Sequence, residues 1–281
     1  MDSFVFAAVL FAAACHAGWN ATIKRTLDPL ATTVLISIGS ALVSLAAFPF
    51  VGFPNAAAWP WVIASVVIHL VYFAALIESY RTGDMGQVYP IARGTAPLLT
   101  ALASPLLVGE SVGVLAWIGI LLLASGVFLL SLRGGRDLAK LDRRAVFFAL
   151  LTALTICAYS LVDGIGARLS GTANAYSVAL FVGIGPVMAA YAIVRGGTRT
   201  LSSMGKYWKT GLAGGAMQLG SYGIAIWAMT LAPIAIVAAL RETSVLFGAL
   251  LAVIFLKEPL RPIRIIAALM IVAGLISIRL Q

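Results

Sequence analysis

Two arginines lie inside apolar stretches of this sequence, and they occur in matching phrases. Arg93 stands in Tyr89-Pro90-Ile91-Ala92-Arg93-Gly94-Thr95-Ala96-Pro97, and Arg241 in Ala239-Leu240-Arg241-Glu242-Thr243-Ser244-Val245. Each is followed two residues later by threonine (Thr95, Thr243) and seventeen residues later by glutamate (Glu110, Glu258). A guanidinium is a planar fork of donors that grips a carboxylate or phosphoryl group with two parallel hydrogen bonds. Ionisable groups at such depth in an apolar segment are costly, and they usually face a cavity or a partner. The chemistry on offer is recognition of an organic anion. The competing reading is an internal ion pair, with Glu242 and Asp163 as the obvious partners and Glu242 already adjacent to Arg241.

Further polar and aromatic residues recur at helical spacing. His16, Trp19 and Asn20 fall at i, i+3 and i+4 and share one helix face, either lining a cavity or bridging to a neighbouring helix. His69 and Tyr72 are three apart, and His69 titrates in the physiological window, so a proton role competes with a neutral hydrogen bond. Tyr89 and Arg93, Tyr159 and Asp163, and Gln218 and Tyr222 are each one turn apart. Glu78 lies on another face from His69 and is expected to pair with Arg81. Glu110 and Glu258 precede helical runs, where a negative charge complements a helix N-terminus. Asp163, Glu242 and His69 are the candidates for proton binding or internal pairing.

The elements that must hold these residues follow from composition. Of the 281 residues 62% are hydrophobic and only 10% charged, against roughly 25% charged in globular chains. Mean hydropathy is +1.04. Apolar runs of spanning length recur from end to end, and their backbones satisfy themselves as helices rather than barrel strands. The expected fold class is an all-α polytopic membrane protein with ten spans, at about 3–23, 31–53, 59–80, 86–108, 112–132, 144–167, 173–195, 208–230, 234–256 and 262–280. The first span is expected to be retained rather than cleaved as a signal peptide. A net charge of +9 belongs to short loops that set orientation and meet headgroups, so nucleic acid is not an expected partner. Fifteen of the nineteen Lys and Arg residues fall in the loops after odd-numbered spans. That places those loops in the cytoplasm and both termini outside.

The halves repeat. At a shift of 148, Arg93/Arg241, Thr95/Thr243, Glu110/Glu258 and Gly126/Gly274 coincide, along with five aliphatic positions. The expected domains are a first five-helix repeat at 1–135 and a second at 142–281, joined by a cytoplasmic connector at 133–144. Five spans per repeat is an odd number, so the second copy runs opposite to the first. Inverted repeats of this kind are typical of secondary transporters with a substrate site near the midplane.

These residues resemble the drug/metabolite transporter superfamily, in its EamA family of metabolite and amino-acid exporters. The resemblance rests on His16-Ala17-Gly18-Trp19-Asn20, on Tyr89-Pro90-Ile91-Ala92-Arg93, and on Gly109-Glu110 and Lys257-Glu258-Pro259. It implies ten helices around a central cavity. No acidic residue lies in the first span, so the coupling carboxylate of the small multidrug relatives has no counterpart there. The expected function is a secondary carrier in a bacterial inner membrane that moves a small amphipathic metabolite, most concretely an amino acid, by alternating access and toward export. An organophosphate, phosphonate or other organic anion is the alternative cargo, and a purely structural membrane protein the alternative without transport. Arg93 and Arg241 are the expected anion anchors, with Asn20, Trp19, His16, Tyr72, Tyr89, Tyr159, Gln218 and Tyr222 around the rest of the substrate. Two histidines, two cysteines in apolar runs and no HExxH or GxSxG pattern argue against an enzyme, a metal centre or a cofactor. The expected partners are the substrate, the lipid bilayer and, as a candidate coupling ion, the proton. The expected oligomeric state is a monomer or weak homo-oligomer.

Overall fold

A computed structural model describes residues 1–23, 29–83, 85–131, 142–256 and 262–281. The described residues are almost entirely helical and include no strand. The helices are α1 (Ser3–Ile23), α2 (Pro29–Val51), α3 (Trp59–Thr82), α4 (Met85–Leu107), α5 (Val114–Ser131), α6 (Arg143–Leu169) and α7 (Ala173–Gly196). A short α8 (Thr198–Met204) follows, then α9 (Trp208–Leu231), α10 (Ile234–Arg241), α11 (Ser244–Leu256) and α12 (Pro262–Arg279). Among the described residues six segments are long and apolar enough to cross a membrane: Leu30–Val51, Ala56–Thr82, Arg143–Leu169, Ala173–Gly196, Ile234–Leu251 and Pro262–Arg279. The helices α1, α4, α5 and α9 fall on four further stretches expected to span. Most of the connector expected at 133–144, together with Lys257 and Glu258, lies outside the described residues.

Local chemistry sets several boundaries. Asp142 caps α6 by accepting the Arg144 amide at 2.9 Å, and Thr172 caps α7 by accepting the Ala175 amide at 3.3 Å. Gly197, at φ 72°, closes α7 and returns its N–H to the Ile193 carbonyl at 2.8 Å.

The segment 234–256, expected as one helix, is two. Glu242 and Thr243 return their amides three residues back, to Ala239 at 3.0 Å and Leu240 at 3.1 Å. The Thr243 hydroxyl also donates to the Leu240 carbonyl, at 2.7 Å. This tightened turn ends α10 at Arg241, and α11 starts at Ser244. The sequence expectation missed it because neither proline nor glycine marks the break.

Packing pairs the helices in an exchangeable way. The helix α3 packs on α6 and α9 on α1; α4 packs on α6 while α10 and α11 pack on α1; α2 meets α7, and α5 meets α12. Where α5 crosses α12 the backbones touch, since a Cβ at Gly119 would lie 2.7 Å from the Gly274 carbonyl, and the reverse holds at the same distance. Small residues let membrane helices approach this closely and gain dispersion contacts. Large apolar side chains such as Phe4, Phe11, Leu106, Leu150 and Leu269 stay exposed on the outside, as a lipid-facing surface requires.

Candidate functional site

The polar interior is assembled from α3, α4, α6, α7, α9 and α10, with Ser244 at the start of α11. Arg93 projects from α4 and is 5% exposed. Its Nε lies 2.7 Å from Oε2 of Glu242, which is 3% exposed. The two atoms are not aligned for a hydrogen bond, so the contact is an ion pair set by distance. The Arg93 Nη2 donates to Ser244 Oγ at 3.2 Å, and its guanidinium carbon is 5.8 Å from the Tyr89 ring centre. Glu242 thus pairs across the sequence with Arg93, not with its neighbour Arg241.

Arg241 is held differently. It ends α10, half-buried, with its guanidinium carbon 4.5 Å from the Tyr222 ring centre. Its charge also faces the Tyr159 phenol. Among the described residues it makes no ion pair with a carboxylate. A cation over a tyrosine face in a desolvated setting gains on the order of 2 kcal/mol. That contact and the Tyr159 hydroxyl hold the side chain in place without a carboxylate.

Around Arg241 stands a group of rings. His69 stacks on Tyr159 with centres 4.4 Å apart and planes 21° apart. Tyr72 meets Tyr159 edge-on at 5.4 Å, and Tyr222 does so at 5.8 Å. Phe181 of α7 closes against Tyr222 at 6.0 Å. The His69 Nδ1 is 2.9 Å from the Ser65 carbonyl, an oxygen that only accepts.

Asp163 is fully buried on α6. Tyr176 donates its hydroxyl to Oδ1 at 2.9 Å, and Tyr222 donates to Oδ2. Neither Arg93 nor Arg241 forms an ion pair with it. The Ser65 hydroxyl, 3.1 Å from His69 Nδ1, also interacts with Asp163.

The remaining candidates sit elsewhere or out of view. Gln218 accepts from Ser40 through Oε1 at 2.8 Å, in the α2–α9 interface. His16 is half-buried on α1. The Trp19 and Asn20 side chains lie outside the described ones. Glu78 pairs with Arg81 at 3.4 Å and also with Arg195 of α7. Glu110 departs from its expected role at the start of α5. Its Oε2 accepts the Ile234 amide that opens α10, at 2.8 Å, and its Oε1 accepts from Arg168 at 2.5 Å.

Sequence spacing did not single out Tyr176, Ser244 or Ser65. Ser65 stands one turn before His69 and could have been found by that spacing; Tyr176 offers no pattern beyond an aromatic in an apolar run. Among the described residues no three His, Cys, Asp or Glu side chains gather as a metal would need, and Cys15 and Cys157 are free thiols. A separate apolar cleft of about 820 Å³ opens between α1, α7 and α9, lined by Phe4, Phe11, Leu219, Gly223 and Trp227 among others. Among the described residues its lining includes none of the candidates and no charged side chain, so the ring-lined interior is the better site for an anion.

A family model described as the EamA-like transporter family matches residues 3–132 and again 143–280. The chain belongs to the EamA-like transporter family. It is therefore a polytopic membrane transporter, and the ring cluster with its two arginines lies inside an EamA-type helical body. No curated protein matches the sequence of this EamA member. A solved chain titled only "Crystal structure of protein" is similar over 99% of this chain and 96% of its own, with a TM-score of 0.71 and 16% identity. At that identity the likeness concerns the fold alone.

Proposed function

We propose that this transporter is a secondary carrier that exports a small amphipathic metabolite, most concretely an amino acid, by alternating access. Arg241 binds the carboxylate, while His69, Tyr72, Tyr159 and Tyr222 enclose the rest of the molecule. The observation that carries the reading is the state of Arg241: a half-buried guanidinium with no carboxylate partner among the described residues, seated on a ring. A guanidinium without a carboxylate of its own suits one on the substrate. Ring-lined walls around few polar anchors suit an amphipathic body. Arg93, neutralised by Glu242, adds a fixed wall on the same side. An organophosphate would draw on both guanidiniums, and that pairing disfavours it.

The frame of this carrier is ten spans in two inverted five-helix repeats, 1–135 and 142–281, in a bacterial inner membrane with both termini outside. Three observations support it: the family match comes in two parts, the packing pairs exchange between halves, and Lys and Arg favour the loops after odd-numbered spans. Reconstitution in liposomes tests the substrate reading by counterflow of a radiolabelled amino-acid mixture. The wild type is expected to show saturable exchange, and Arg241→Gln at least a tenfold loss. Equal exchange by Arg241→Gln would remove the arginine from its role.

A further inference from the structure

Asp163 lies fully buried in the polar interior, and its surroundings are unlike those of Glu242. Glu242 has a guanidinium beside it; Asp163, fully buried, is held by two phenol donors and no cation among the described residues. A carboxyl group inside a membrane helix is costly to keep and commonly marks an ion or proton path. The groups facing it come from every side. α3 brings His69 and the bridging Ser65, α7 brings Tyr176, and α9 brings Tyr222. α10 brings Arg241, which acts on Tyr222 and His69, and α4 brings Arg93, which acts on Tyr159 one turn away.

We propose that Asp163 is a proton-binding site, and that the proton it takes up is the ion exchanged against the substrate, with Tyr222 as the link to Arg241. Tyr222 is shared between the two: its hydroxyl is tied to Asp163 while its ring supports the Arg241 guanidinium. With Asp163 ionised, both oxygens accept and both phenols donate. A proton added from water turns one oxygen into an O–H donor, so the phenol on that oxygen must accept instead or turn away. Tyr176 is fully buried on α7, whereas Tyr222 carries the seat of Arg241, so its movement alters the anion site. Release of the proton to the other side of the membrane restores the first arrangement, and no other bond is made or broken. Ser65 connects the His69 ring to Asp163.

The proton site is independent of the cargo, whereas the exchange rests on the carrier reading, so two arms separate them. Infrared titration of the purified protein across the physiological pH range needs no substrate. The wild type is expected to show a protonated-carboxyl C=O band that titrates as one proton, is absent in Asp163→Asn and returns in Asp163→Glu. The same band in Asp163→Asn would overturn the proposal. In liposomes, one proton exchanged per substrate lets a gradient of one pH unit sustain about tenfold accumulation of a labelled amino-acid mixture. Asp163→Asn and Tyr222→Phe are both expected to lose that accumulation, and accumulation equal to wild type in either overturns the coupling. If the wild type carries none of the mixture, the amino-acid reading fails and the infrared arm still decides Asp163. Should Asp163→Asn not fold, Tyr176→Phe and Tyr222→Phe must each shift the midpoint of the band, and an unmoved midpoint in either overturns the site.

Discussion

Arg93 and Arg241 carry the same group in different circumstances, and the difference comes from which side chains the next helix turn presents to them. Consecutive helical residues point about 100° apart, so adjacency in sequence does not make Glu242 a partner for Arg241. Glu242 turns to α4 and meets Arg93 at 2.7 Å. Both groups are almost completely enclosed, so removing one leaves an uncompensated charge in a dry interior. Glu242→Ala is expected to destabilise the fold by about 3–5 kcal/mol in reversible unfolding from mixed micelles. The double replacement Arg93→Met with Glu242→Leu is expected to recover most of that loss, because apolar side chains of similar volume need no desolvation. Losses that simply add would show the pair to be uncoupled. The residue types of this interior were legible in the sequence, because arginine, aspartate and glutamate stand out in apolar runs. Their partners were not legible: Tyr176 reaches Asp163 from a different helix, and Gln218, one turn from Tyr222, was drawn away by Ser40 of α2.

At the scale of elements, hydropathy and charge place most helices, and the exceptions have local causes. The break after Arg241 arises from amides that reach back three residues, a feature with no signature residue. It leaves Arg241 as the last residue of α10 and Glu242 in the turn before α11. A tightened turn inside a long helix is a natural place for α10 and α11 to move relative to each other. The α5–α12 crossing is the opposite, a rigid contact between backbones. Gly274→Val puts a side chain where the Gly119 carbonyl already lies, and a loss of about 1–3 kcal/mol is expected from overpacking. Gly220→Ala is the control, since a Cβ there meets nothing within 4 Å, and it is expected to be neutral or mildly stabilising. Equal effects of the two would show that the crossing is not tightly packed.

At the scale of the whole molecule, ion-paired clasps lie at the two ends of the helical body. One joins Glu110 to Arg168 and to the Ile234 amide, with Arg168 also donating to the Met229 carbonyl at 2.8 Å and the Ala232 carbonyl at 3.2 Å. The other joins Glu78 to Arg195. The Asn55 amide donates to the Ser170 carbonyl, so the start of α3 sits near the first clasp. Glu78 lies some twenty residues further along that helix, about 30 Å away at the helical rise. Alternating access asks one end to loosen while the other holds, so the clasps should be separable. Glu110→Ala removes an acceptor for the Ile234 amide and the charge facing Arg168. A hydrogen bond to a charged group contributes about 1.5–3 kcal/mol, enough for at least a tenfold rise in amide exchange of the segment around 229–236. The C-terminal turn of α7, which carries Arg195, should keep its wild-type exchange. Glu78→Ala should give the reverse pattern. If either variant speeds exchange at both ends together, the ends act as one cooperative unit and the clasps are not independent gates.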